Sequence, residues 1–102
     1  MKLWVDDVRP VPDGYWLAQS VKQAKLAIQI VEQSSEPIEL IDIDHDAGDY
    51  VNDGGDYINL LNWLEQTGRN YPIKIHSMNP VGVENMRRII KRNGWTEIKG
   101  EL

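Results

Sequence analysis

Asp6-Asp7, Asp44-His45-Asp46 and His76-Ser77 are the places in this chain where reactive side chains stand together. Adjacent carboxylates raise one another's pKa and cost the fold stability, so a group of them calls for an offsetting positive charge. A hard divalent cation, Mg2+ or Mn2+, held by two or three carboxylates and water, supplies that charge without a thiolate, and the chain has no cysteine. Histidine ionises near neutrality and can carry protons to and from reacting oxygens. Asn79-Pro80 supplies an N-cap and a first-turn proline for a following helix. The backbone donors after Asn79, as far as Gly82, then form a seat for a phosphate on the same side.

The elements that must position these residues can be read from the pattern. Leu3-Trp4-Val5 is a short strand that ends at Asp6-Asp7, and Pro10, Pro12 and Gly14 break the segment after it. Tyr15 to Ala18 reads as a second strand. Ser20 and Gln23 have capping-box spacing, and Val21, Ala24, Ala27, Ile28 and Val31 form one face of a helix running to about Gln33. Residues 38–43 form a buried central strand, apolar but for Glu39 and Asp42, and Asp44 follows it. A polar glycine-bearing loop leads to a helix marked by Ile58, Leu60, Leu61 and Leu64 that stops near Gly68. Residues 72–75 give a fourth strand ending in His76-Ser77. The last helix carries Val83, Met86, Ile89 and Ile90 inward and stops at Gly94, and residues 95–98 read as a final strand.

Strands separated by helices imply a parallel sheet with right-handed crossovers. The expectation is an α/β flavodoxin- or receiver-like three-layer sandwich, a five-stranded sheet in the order 2-1-3-4-5, with the first helix reduced or missing because residues 8–14 hold too many turn formers. In that order the first, third and fourth strand ends are neighbours about 4.8 Å apart, at the edge where open α/β sheets bind ligands. Both histidines are expected in one small pocket there.

The bulk properties restrict the partners. A chain of 102 residues, 41% hydrophobic, holds one core, so residues 1–102 are read as a single domain. A formal charge of -5 argues against nucleic acid or an anionic membrane as partner. With neither a signal-like segment nor a long apolar run, the expected location is the cytoplasm. Oligomeric state is not encoded in any residue pattern.

The run from Leu3 to Pro10, then Asp44-His45-Asp46-Ala47-Gly48, then Ile75 to Gly82 with Asn85-Met86, resembles the cyclic-phosphate-processing receiver-like domain family over nearly the whole chain. The resemblance implies a derived receiver fold whose pocket handles nucleotide-type cyclic phosphates. It implies that Asp6 and Asp7 match the acidic pair that holds the cation, that Asp44 matches the phosphoacceptor, and that Ser77 matches the hydroxyl after the fourth strand. Lys99 matches the receiver lysine by position alone. His45, Asp46, His76 and Asn79 are the residues that set this family apart from ordinary receivers. The chain departs from the family in Asp42, in Ala47 and in Gly54-Gly55, where Thr-Gly is usual.

From these parts comes an expected metal-assisted hydrolysis of a small cyclic or terminal phosphate. Asp6, Asp7 and Asp44 hold the cation, His45 and His76 divide the proton work with Asp46 beside them, and Ser77, Asn79 and Gly82 bind the phosphate. The alternative is a non-catalytic receiver-like module that binds a nucleotide or carries a phosphoryl group on Asp44. A third reading is a protein-interaction domain with a vestigial pocket. Structural roles stay open for each piece: Asp6-Asp7 as a solvated strand end, His76 as a satisfied structural histidine, Ser77 and Asn79 as caps. Asp49, Asp53 and Asp56 are read as solvation or capping, the four tryptophans as core or edge packing, and Arg87, Arg88, Lys91 and Arg92 as a solvated helix end that complements the dipole.

Overall fold

Leu3, Val5, Ile41, Ile43 and Ile73 alternate along their segments and are fully buried, the mark of strands with one face on a core. A computed structural model describes residues 1–100. It contains β1 (Lys2–Val5), β2 (Tyr15–Ala18), α1 (Val21–Gln33), β3 (Leu40–Ile43), α2 (Ile58–Gln66), β4 (Ile73–Ile75) and α3 (Pro80–Asn93), with a single 3-10 turn at Gly48–Tyr50. The strands are all parallel, in the order β2-β1-β3-β4.

The helices begin and end where local chemistry dictates. Ser20 accepts the Gln23 amide at 3.0 Å, and the Gln23 side chain reaches back to the amide of Gln19 at 2.8 Å, a box displaced by one residue. Asn79 caps α3 by accepting the Gly82 amide at 3.0 Å, and Gly94 closes it in a left-handed conformation. The loop acid Asp53 accepts from the Ser20 hydroxyl at 2.6 Å and so ties its loop to the start of α1.

Two features of the expected sandwich are corrected. Among the described residues the sheet has four strands, and the expected fifth is a single parallel bridge between Ile73 and Glu97. Ile73 can serve that neighbour with only two bonds, from its amide to Thr96 O and to its carbonyl from Ile98 N. The amide of Trp95 is already used in closing α3, through Ile90 O at 3.1 Å. Arg87 then pins Glu97 at 2.8 Å, so this arginine is a brace and not a solvated helix end. Arg92 likewise grips Glu65 of α2 with two bonds of 2.8 Å.

The second correction is that the described fold has two layers instead of three. From β2 to β3, from β3 to β4 and on to the bridge, each crossover moves in one direction along the sheet. Right-handed connections in one direction place their helices on one face, and all three helices share a core with Leu3, Val5, Ile41 and Ile43. The one step in the opposite direction, from β1 to β2, would send a helix to the other face, and residues 6–14 contain none. That second face carries Trp4, Leu17, Asp42 and Lys74 in one row across the sheet. Leu17 is exposed there and Trp4 is half-buried. No helix among the described residues is long and apolar enough to cross a membrane.

Candidate functional site

The ladder extends one step beyond each strand, and this step lines up the acids. Asp6 N donates to Ala18 O at 3.2 Å, Asp44 N to Val5 O at 2.9 Å, and His76 N to Ile43 O at 2.9 Å. Asp6, Asp44 and His76 therefore form the next row at the carboxyl edge. A ligand atom from each lies within 4.8 Å of the others, a group able to hold a metal ion.

Asp6 is fully buried. Its Oδ1 accepts the amides of Val8 and Arg9 at 2.9 and 2.8 Å, and its Oδ2 faces His76 Nε2 at 2.8 Å. Burial pushes its pKa up, but those amides and the histidine outweigh burial and hold it below the usual carboxylate value. Asp7 is shifted the other way. Burial raises its pKa, its own backbone amide opposes this, and the charges of Asp6 and Asp44 raise it further. Buried Tyr57, bonded to Gln19 O at 2.8 Å, is also pushed up, by burial and then by Asp7, Asp6 and Asp44. Three carboxylates thus act on common neighbours without enough positive charge, and an all-oxygen donor set of this kind fits a hard divalent cation. Gly48, with φ of 55°, belongs to this arrangement because a Cβ there would overlap the Asp7 carboxylate.

The two histidines stand at adjacent strand ends but not in one pocket, which corrects the expectation. His45 lies on the helix side, its ring packed on Gly82, where a Cβ would collide with it. Its Nδ1 is 2.8 Å from Asp46 Oδ1, which also accepts from Asn79 Nδ2 at 3.3 Å. The His45 bond, opposed by burial and aided by Asn79, lowers the Asp46 pKa. Asp46 thereby holds a hydrogen on Nδ1, and Nε2 has no protein hydrogen-bond partner among the described residues. His45 is tied to the carboxylates through its amide, which donates to Asp44 Oδ1 at 2.7 Å.

His76 lies on the face without helices. Its Nδ1 is 2.6 Å from Asp42 Oδ1 and its Nε2 2.8 Å from Asp6 Oδ2. Trp4 covers the ring in a stack with centroids 3.8 Å apart and planes 3° from parallel. Arg9 donates to the His76 carbonyl at 2.7 Å. In this geometry both ring nitrogens face carboxylates, so His76 joins that group as a metal ligand only by giving up one of these bonds.

The expected phosphate seat is also narrower than its sequence suggests. Ser77 Oγ accepts the Asn79 amide at 3.1 Å, which leaves its hydroxyl hydrogen to donate elsewhere. Gly82 donates its amide to Asn79 Oδ1, and the Val83 amide goes to Asn79 O. Pro80 has no N–H. Gly82 serves by making room for His45, and Asn79 by capping and by steadying Asp46. Lys99 is exposed beyond the bridge. Asp56 accepts the Ala47 amide at 2.9 Å, closing the loop after Asp46, and one of its oxygens falls within 4.8 Å of ligand atoms of His45 and Asp46.

Asp42, Trp4 and Arg9 are the site-forming residues to which the sequence reading gave no role in the site. Asp42 had a visible signal, an acid inside an otherwise buried strand. Trp4 and Arg9 had none beyond their places beside Asp6-Asp7.

The family model described as the cyclic-phosphate processing receiver domain matches residues 1–92. No curated protein and no solved structure matches the chain.

Proposed function

Since the chain belongs to the cyclic-phosphate processing receiver domain family, we propose that it hydrolyses a small cyclic phosphate, nucleotide-derived, with a divalent cation. The observation that carries this reading is the His45–Asp46 pair, which directly follows Asp44 and is tied to it by the His45 amide on Asp44 Oδ1, next to the row of Asp6 and Asp44. Asp7 and Asp44, with the remaining lone pair of Asp6 Oδ2, would hold Mg2+ or Mn2+. When bound, the cation supplies Lewis-acid polarisation of the phosphate and a lowered pKa for a coordinated water.

The residues of the chain do the rest. His45 Nε2 accepts a proton from the attacking water as oxygen adds to phosphorus. One P–O bond of the ring breaks, and the proton returns from His45 to the leaving oxygen, so the product is a phosphate monoester with a free hydroxyl. Asp46 keeps the imidazole in the required tautomer and favours the imidazolium formed in between. Ser77 donates its hydroxyl to a phosphate oxygen. Val8, Met78 and Val81, each at least 70% exposed beside these loops, offer apolar surface suited to a nucleobase. His76 is left out of the proton work, because both of its nitrogens are engaged.

A second reading, phosphoryl transfer to Asp44 without turnover, draws on Asp44 standing beside Asp6 at the strand edge as a receiver phosphoacceptor would. Calorimetric titration of Mg2+ and Mn2+ into wild type and Asp7→Asn, with and without a panel of cyclic nucleotides, tests the main proposal. Saturable binding that needs Asp7 and tightens with one cyclic nucleotide supports it, and no cation binding in any condition refutes it. A stable acyl phosphate formed from a small phosphodonor, absent in Asp44→Asn, would favour the second reading.

A further inference from the structure

Asp42 is 2% exposed in the middle of β3, where a carboxylate is tolerated only when paired. Its Cα partners in the sheet are Trp4 and Lys74, on the face without helices. The His76 ring, rooted beyond β4, crosses β3 to link Asp42 to Asp6 of the β1 edge, with bonds of 2.6 and 2.8 Å. Trp4 stacks on the ring, and the His76 backbone is held by its amide on Ile43 O and by Arg9 on its carbonyl. At the far end, the other oxygen of Asp6 takes two backbone amides. The orientation of the Asp6 carboxylate, which stands beside Asp44 at the strand edge, is held at Oδ1 by those amides and at Oδ2 by a chain of contacts that starts at Asp42.

We infer that Asp42 is a positioning residue for Asp6, acting through the His76 imidazole. The inference rests on the proposed cation site for its functional consequence, because outer partners that orient a ligating group typically govern metal affinity 10- to 100-fold. A purely structural ion pair would matter for folding alone. The two differ in what happens to His76 Nε2 and to the cation when Asp42 is shortened.

The test compares Asp42→Ser, which removes the carboxylate and withdraws the remaining oxygen from the His76 ring, with Asp42→Asn, which keeps an acceptor at the same reach. In cation-free protein, NMR is expected to show a slowly exchanging hydrogen on His76 Nε2 in wild type. Its exchange should quicken several-fold in Asp42→Asn and the signal should vanish in Asp42→Ser. Calorimetric Mn2+ affinity should fall about 10- to 100-fold in folded Asp42→Ser and less in Asp42→Asn. Unchanged exchange in Asp42→Asn, or a folded Asp42→Ser with wild-type Mn2+ affinity, overturns the inference. If Asp42→Ser does not fold, the exchange in Asp42→Asn decides. If wild type binds no Mn2+, the cation reading has failed, and the exchange rates in cation-free protein still decide the role of Asp42.

Discussion

His45 and His76 follow neighbouring strands of the same sheet, β3 and β4, yet they do opposite things. His45 turns to the helix layer, shares one nitrogen with Asp46 and leaves the other open. His76 turns to the face without helices and gives both nitrogens to buried carboxylates beneath a tryptophan. The residue type is identical and the strand ends are adjacent. In the proposed mechanism, what separates a proton carrier from a strut is the face of the sheet and the number of carboxylates each ring meets.

That contrast can be broken most decisively at His45. Replacing it by Gln is expected to lower the hydrolysis rate by about 10²- to 10⁴-fold, the usual worth of a general base, with little change in melting temperature. Equal loss of activity and stability would mean that His45 is structural as well. The reverse signature is expected at His76. His76→Ala leaves Asp6 and Asp42 buried without their partner, and breaking a buried ion pair costs about 3–5 kcal/mol. For a domain of this size thermal denaturation should then fall by more than about 12 °C.

Gly82→Ala sharpens the comparison from the helix side. The new Cβ must displace the His45 ring, and a shift of about 1 Å in a catalytic group can cost about 100-fold in rate. His76 lies on the other face, so its ring hydrogens should keep their wild-type NMR signals in this variant. A Gly82→Ala protein with full activity would show that His45 needs no fixed seat.

The smallest effect concerns pH. Because the folded-state pKa of Asp7 is raised, the folded protein binds a proton that the unfolded chain does not, so cation-free protein gains stability as pH falls through that raised value toward the ordinary value near 3.8. Asp6, with a lowered pKa, acts in the opposite sense: its contribution is complete above about 3.8 and is lost as pH falls through its folded value. Melting curves against pH should therefore rise and then fall on acidification. Asp7→Asn should remove the rise, melt higher at neutral pH than wild type without cation, and lose cation binding.

The helices and the order of the first four strands were legible because caps, glycine stops and 3.6-residue periodicity are local signals. Val21, Ala24, Ala27, Ile28 and Val31 are all buried as their spacing required. The strand ends were legible too, since Asp6, Asp44 and His76 each follow an apolar run directly. The fifth strand misled because strand propensity in residues 95–98 says nothing of the three-residue β4 that must pair with it. The third layer misled because the helix absent between β1 and β2 was seen, but not that its absence bares a whole face. Asp42 read as an oddity within β3, since the ring that explains it comes from a residue 34 positions later and reaches it only across the folded sheet. Gly82 read as a donor because sequence spacing shows a free helix start and cannot show the imidazole packed on it.

The most direct test of the account is phosphorus NMR of a cyclic nucleotide incubated with Mn2+ and wild type, His45→Gln or folded His76→Gln protein. Ring opening to a phosphate monoester is expected in wild type, to be nearly abolished in His45→Gln, and to persist at a reduced rate in His76→Gln. Turnover that survives in His45→Gln, or no turnover of any cyclic nucleotide by cation-loaded wild type, would contradict it.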